Sequence, residues 1–238
     1  MITDPTERAR RVQTMFGRIT RRYDLMNFVM TGGRDQAWRR IAAAELALPS
    51  NALCLDLATG TADLALAVRA RFPDSRVVGA DFSETILRAG VAKAARKAVG
   101  GVTFAVGDAL SLSFPDATFD GLVSGFLLRN VVDLRRCLRE LMRVCKPGSR
   151  VVSMEITHPQ TPVFRSLFAL YFNHIMPVIG GVISGDYNAY KYLPTSLAAF
   201  PAAEPLKAIM QEVGFREVRY RLLGLGSMAV HVGIVPHP

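Results

Sequence analysis

Asp56 and Asp63 bracket the loop Thr59-Gly60-Thr61. Two further aspartates, Asp81 and Asp108, stand just past short apolar runs farther along the chain, Asp81 lying twenty-one positions beyond Gly60. A carboxylate at the end of a second strand can accept two hydrogen bonds from ribose hydroxyls. At the end of a third strand, Asp108 can take an adenine amino group while the backbone N–H of Ala109 meets a ring nitrogen. A single strand-end Asp is ordinarily a helix cap. Three of them in consecutive strand-helix units describe a nucleoside site. Charge then selects the cofactor. A pyrophosphate carrier needs glycine at each close approach and no carboxylate beside the helix N-terminus. Here Asp63 occupies the third glycine position, and the acids favour a cation. S-adenosylmethionine (SAM), with its sulfonium and ammonium groups and no phosphate, fits; the expected contacts are Asp56, Gly60, Thr61, Asp81, Asp108, Ala109 and Gly125.

The elements that must hold these residues follow from the hydropathy pattern. Apolar runs at 52–58, 76–80, 102–106, 120–126 and 150–156 alternate with helical patterns at 62–71, 83–98 and 133–145, as a parallel sheet requires. Lys146-Pro147-Gly148-Ser149 reads as a turn before the fifth strand. A helix over 204–213 should stop at Gly214. Strand patterns at 215–223 and 227–235, joined by a short glycine-containing link, should pair as an antiparallel hairpin. The expected fold is α/β, a Rossmann-like seven-stranded sheet ending in that hairpin, the arrangement of class I SAM-dependent methyltransferases. One domain over 1–238 is expected, with an N-terminal helical cap at 1–47 and an insertion at 157–199.

That insertion carries Phe164, Phe168, Tyr171 and Phe172 at helical spacing, then Tyr187, Tyr190 and Tyr192. With Phe200 these make eight of the chain's twenty aromatics. Aromatic stripes are more often plain core. An insertion at the C-terminal edge of the sheet is nevertheless the natural roof for an apolar acceptor, with Phe168, Tyr171, Tyr187 and Tyr190 as its candidate lining.

Composition narrows the setting. The 238 residues are half apolar and sufficient for one sizeable core. No run of about 20 uninterrupted apolar residues is present, so no membrane-spanning segment is expected, and the charged start lacks the apolar core of a secretory signal. A cytoplasmic protein is expected. Cys54, Cys137 and Cys145 each fall within an apolar pattern and read as small buried thiols. The four histidines are scattered without ligand spacing, and no metal site is expected. Nine arginines through Arg40 face four acids there, a net +5 of the chain's +9. Such a region can meet nucleic acid or anionic lipid.

Several motifs together resemble one family. Tyr23-Asp24-Leu25-Met26-Asn27 is followed by Gly32-Gly33 and Trp38-Arg39. Farther on come Leu55-Asp56-Leu57-Ala58-Thr59-Gly60-Thr61, Leu128-Arg129-Asn130-Val131, Arg143-Val144-Cys145-Lys146-Pro147-Gly148, Tyr192-Leu193-Pro194-Thr195-Ser196 with Phe200-Pro201, and His231-Val232-Gly233. From about 15 to 233 the chain resembles the quinone-ring C-methyltransferases of menaquinone and ubiquinone biosynthesis. The resemblance implies methyl transfer from SAM to the ring carbon of a prenylated hydroquinone, with Thr61, Asp81, Asp108 and Ala109 as cofactor contacts. It departs from the family at Ala62, where glycine is usual; at Ser149, which replaces a glycine; and at Gly125-Phe126-Leu127-Leu128, where Ser-Phe-Gly-Leu is usual. Ala62 costs little if its backbone is already helical.

The acceptor sets the chemistry. A hydroquinone carbon becomes a strong nucleophile once the neighbouring phenol ionises, so a phenolate stabiliser and alignment are needed. Arg129 is the candidate stabiliser, set against an ion pair with Asp133 one helical turn on. Asn130 is placed to orient the ring oxygen, and Tyr23 and Asn27 to close the site against water. A prenylated substrate also gives the basic start a use, as a transient contact with the inner face of a membrane through Arg8, Arg10, Arg11, Arg18, Arg21 and Arg22. A homodimer is possible. A methyltransferase of another phenol or lipid is the nearest alternative. An RNA methyltransferase is disfavoured because neither an Asn-Pro-Pro-Tyr-like loop nor an RNA-binding module is found, so no nucleic-acid partner is expected. A non-catalytic SAM or quinone carrier would need no phenolate stabiliser.

Overall fold

The computed structural model describes residues 17, 20–184 and 187–237, with the side chains of Arg21 and of 184–191 excepted. A short 3-10 turn, Thr20–Arg22, leads into α1 (Tyr23–Thr31) and α2 (Asp35–Glu45). The alternating body follows: β1 (Leu53–Leu57), α3 (Asp63–Arg71), β2 (Arg76–Asp81), α4 (Glu84–Arg96), β3 (Val102–Val106), β4 (Phe119–Gly125), α5 (Leu134–Val144) and β5 (Cys145–Ile156). Next come α6 (Pro162–Leu170), a π turn (Tyr171–Ile175), α7 (Met176–Ser184) and α8 (Tyr187–Ala198). The chain closes with α9 (Ala203–Val213), β6 (Arg216–Leu223) and β7 (Met228–Ile234).

The seven strands form one sheet in the order β3-β2-β1-β4-β5-β7-β6. β1 to β5 are parallel and β7 runs antiparallel to both β5 and β6, as the patterning predicts. Because successive strand residues point to opposite faces, each central strand feeds two cores. On one side Cys54, Val123, Val152 and Met154 meet Ala42, Ala43 and Leu46 of α2 and Leu64 and Val68 of α3. On the other Leu55, Leu57, Leu122 and Val151 meet Leu138 and Leu141 of α5 and Leu206 and Met210 of α9. The sheet order reverses at β1, between β2 and β4, so a crevice opens at the carboxyl ends of these strands.

Two local expectations are corrected. Lys146-Pro147-Gly148-Ser149 is a bulged part of β5: pairing with β4 passes from Phe119–Cys145 directly to Gly121–Arg150. Gly148, at φ +79°, and Ser149 are held by the backbone of Val235 at 2.9 and 3.0 Å. Partners at the far end of the chain thus keep a turn-like tetrapeptide in the sheet. The expectation that no segment is long and apolar enough to span a membrane is corrected in the insertion, where the helix continues through Pro177, Gly180 and Gly181. Residues Pro162–Ile183 run as one 22-residue helix long and apolar enough, by length and composition, to cross a membrane, with 22% of its apolar window buried. Arg165, Asn173 and His174 break the apolar run in sequence, which is why counting uninterrupted residues passes over it.

Candidate active site

The β1–α3 loop is tightly wound. Ala58, Gly60 and Ala62 have φ of +59°, +56° and +69°. The Thr59 N–H donates to Ala80 O at 3.0 Å, tying the loop to β2. Gly90 of α4 lies so close that a Cβ there would stand 3.0 Å from Gly60 O. Ala62 is left-handed, so the condition on which alanine would cost little there, a helical backbone, is not met: an L side chain pays roughly 1–2 kcal/mol in this region.

Beside the loop is a cleft of about 970 Å³, part of it open to solvent. Its lining includes Tyr23, Gly60, Asp81, Asp108, Ala109, Gly125, Phe126 and Asn130, with apolar Leu57, Ile86, Leu110 and Leu127. Both Asp81 carboxylate oxygens accept backbone hydrogen bonds, from Gly60 N at 3.0 Å and Ser83 N at 2.9 Å. Burial still pushes the Asp81 carboxyl above its usual range. Asp108 accepts from Leu110 N at 2.9 Å. Two acids, three bare glycine positions counting Gly107, and an apolar wall fit a nucleoside bearing a cationic amino-acid arm.

Other predicted cofactor contacts lie elsewhere. Asp56 is fully buried in β1 and absent from the cleft lining; it accepts from the Thr59 hydroxyl at 2.6 Å, and burial raises its carboxyl to about 7. The Thr61 hydroxyl points away too, donating to Asp24 at 2.6 Å and accepting from Lys93 Nζ at 2.9 Å. Lys93, 6% exposed, also pairs with Asp24 at 2.5 Å and Asp63 at 2.8 Å. Asp63 therefore neutralises an internal lysine instead of facing a cofactor. The acids presented to the cleft are Asp81 and Asp108. Gly125 does line it, and a side chain there would make ordinary contacts of 3.5 Å with Met154 and 3.6 Å with Leu64, so the departure from serine reflects no lack of space.

A second group of residues closes the other side. Phe126, just past β4, is a bulky residue at φ +62°, a strained conformation of the kind concentrated at functional sites. Its N–H donates to Met154 O at 2.9 Å and its carbonyl accepts from Asn130 Nδ2 at 2.7 Å. The Arg129 guanidinium lies 5.0 Å from the Phe126 ring centroid, and that of Arg39 5.9 Å from it. The weighed ion pair of Arg129 with Asp133 does not form. Asp133 caps α5 by accepting from Arg136 N at 2.9 Å. Arg129 instead reaches Glu155 near the end of β5 at 2.9 Å, and the same carboxylate accepts from Leu128 N at 2.6 Å. Arg129 is 6% exposed and Glu155 1%. Burial pushes the Glu155 carboxyl up, while Arg129 pulls it back.

Tyr23, at the start of α1, joins the two groups. Burial raises its phenol above the ordinary value, with Arg39, a hydrogen bond to Asn27 and Arg129 opposing. Arg129 Nε and Asn130 Oδ1 are buried without a hydrogen-bond partner, polar capacity of the kind a ligand satisfies.

Of the predicted roof, the described side chains of Phe168 and Tyr171 are absent from the lining of this cleft. Phe168 stacks on Phe172 at 5.1 Å, and the Tyr171 hydroxyl donates to Met30 O at 3.3 Å; both pack in the apolar cluster that includes Tyr23, Trp38 and Phe126. The side chains of Tyr187 and Tyr190, and the basic residues 1–16, lie outside the described residues. Among the described residues no three His, Cys, Asp or Glu side chains converge as metal ligands would. Sequence reasoning missed Arg39, Lys93 and Glu155 as members of these clusters. Glu155 had a signal: it is the one charge in the apolar run 151–156.

A profile of the ubiE/COQ5 methyltransferase family matches residues 4–235. The chain belongs to the ubiE/COQ5 methyltransferase family. It is 46% identical over 223 residues to a demethylmenaquinone methyltransferase of Thermus thermophilus, covering 93% of this chain and all of that one. To the ubiquinone/menaquinone biosynthesis C-methyltransferase UbiE of Geotalea daltonii it is 40% identical over 230 residues, 96% and 97% of the two chains. Among solved structures, a SAM-dependent methyltransferase of Thermotoga maritima described as a possible histamine N-methyltransferase superposes with a TM-score of 0.66 over 94% of this chain and 99% of its own, at 17% identity. That likeness shows the fold. With the family it makes the chain a SAM-dependent methyltransferase, and the resemblance read from its motifs holds.

Proposed function

We propose that this chain methylates a ring carbon of a prenylated demethylated hydroquinone, in menaquinone or ubiquinone biosynthesis, with the ring held between the cleft and the Tyr23–Arg39–Arg129 cluster. The observation that carries the reading is the pair of buried guanidiniums beside the half-buried Tyr23 at the rim of a carboxylate-lined cleft. SAM, when bound, supplies an electrophilic methyl group. Asp81, Asp108 and the Ala109 backbone are the proposed contacts to its nucleoside. Asp56 and Thr61, turned into internal bonds, act by holding the loop.

The residues of the acceptor side then divide the work. The Tyr23 phenol, its pKa held up by burial, keeps its proton at neutral pH and donates a hydrogen bond to the ring oxygen. As that oxygen passes its proton to water at the solvent-open mouth of the cleft, the positive potential of Arg39 and Arg129 stabilises the phenolate, an effect magnified where the surroundings are of low dielectric. Glu155 fixes the Arg129 guanidinium, so little reorganisation is needed as charge develops. Asn130 and Asn27 orient the ring, and α1 covers the site against water. The prenyl tail places the acceptor in a bilayer, so the enzyme works at the inner membrane face. The relatives' names include both menaquinone and ubiquinone biosynthesis. Incubating the purified protein with methyl-labelled SAM and a panel of demethylated naphthoquinols and benzoquinols should label one ring class. Label on neither, with SAM bound, would remove the reading.

A further inference from the structure

The helix Pro162–Ile183 exposes a row of large apolar side chains: Val163 is 73% exposed, Leu167 59%, Leu170 55%, Val178 54% and Val182 79%. In an uninterrupted α-helix the stripe of Val163, Leu167 and Leu170 would be rotated by roughly 75° from that of Val178 and Val182. The π turn Tyr171–Ile175 between them accommodates one extra residue, about 100° of helical phase, which brings the two stripes to within roughly 30° of one line. One continuous apolar face results, opposite the buried Phe172, Met176 and Gly180.

Charge identifies what that face meets. No Asp or Glu occurs from residue 156 to residue 185. Exposed Arg165 lies within the helix, and exposed Arg22 donates from its guanidinium to Ile183 O at the far end. An apolar face on a helix that carries no acid and whose one formal charge, Arg165, is cationic complements the acyl and anionic headgroup layers of a membrane, whereas a protein partner would ordinarily be met with both signs of charge. We propose that this helix docks the enzyme on an anionic phospholipid bilayer, lying in the interface with Val163, Leu167, Leu170, Val178 and Val182 among the acyl chains. The basic start supplies attraction, and this face supplies the insertion. The proposal rests on the membrane-resident acceptor proposed above.

Sedimentation of the full chain with phosphatidylcholine vesicles, with and without phosphatidylglycerol, tests it. The double variant Leu167→Glu, Val182→Glu should lower the bound fraction at least about tenfold. Its unfolding midpoint and its methyl transfer to a short-tailed, water-soluble quinol should stay at the wild-type level. Wild-type binding should retain an apolar remainder at high salt, which attachment through arginines alone would lose. Unchanged vesicle binding in the variant overturns the proposal. So does conversion of a wild-type dimer to monomer by the same substitutions, which would assign the face to a second copy of the chain. If no quinol is methylated but vesicle binding still depends on Leu167 and Val182, the docking face stands and the substrate reading falls.

Discussion

The two sides of the site are built on different physical terms. On the side proposed for the cofactor, Asp81 and Asp108 sit at the ends of neighbouring parallel strands and their carboxylates are tied down by backbone N–H groups only a few ångströms away. On the side proposed for the acceptor, Tyr23, Arg39, Arg129 and Glu155 come from α1, α2, the β4–α5 turn and β5, and hold one another through buried charges and a ring. The first is a property of sheet geometry that many sequences can satisfy. The second depends on particular long side chains packed in low dielectric, where leaving one partner unpaired is costly. Cofactor use should therefore tolerate substitution better than acceptor chemistry.

Lys93 bridges the two sides, since it binds Asp24 of α1 as well as Asp63 of α3. Lys93→Met should cost about 3–5 kcal/mol of stability, because it leaves the buried Asp63 without its counter-charge; denaturant unfolding measures it. A change below 1 kcal/mol would mean the sides are not coupled through this residue. Arg129→Ala should separate them next. Turnover is expected to fall about a hundredfold, equivalent to about 2.7 kcal/mol of barrier, with SAM affinity nearly unchanged by calorimetry. Equal losses in turnover and SAM binding would erase the contrast.

The loop offers two gentler probes. Asp56 ionises at about 7 in the folded chain, against about 4 when unfolded. Its contribution to stability is thus full below about pH 4 and drains as pH rises to 7, the loss amounting to about 2.6 kcal/mol between pH 5 and 8. Thermal unfolding across that range should show the decline, and Asp56→Asn, which can still accept from Thr59, should flatten it. The smallest effect is expected at Ala62. In a right-handed helix Ala→Gly costs about 1 kcal/mol; at φ +69° Ala62→Gly should leave stability unchanged or raise it by up to about 1 kcal/mol. A loss of the full helical penalty would contradict the left-handed assignment.

The legibility of these parts follows the same division. Asp81 and Asp108 were readable because parallel strands bring their carboxyl ends to one edge, so a local pattern of apolar run and terminal acid already states a spatial fact. Asp63 was misread for a through-space reason: Lys93, thirty positions on, claims it. For Arg129 the sequence offered Asp133 in the next turn as an ion-pair partner, whereas the partner is Glu155 of a neighbouring strand. The aromatic insertion was visible as a concentration of rings. Its apolar exposed face was not, because a π turn, which leaves no hydropathy signature of its own, sets the phase between its halves.

By itself, the order of residues determined the alternation of strands and helices, the closing hairpin and the family. These rest on periodicities of 2 and 3.6 and on motifs whose members are close along the chain. Only the tertiary structure decided which acids face the cleft, which cations stand beside Tyr23 and how α1 is anchored. Those outcomes depend on distances between residues remote in sequence and on the loss of water around them, and one-dimensional patterning records neither.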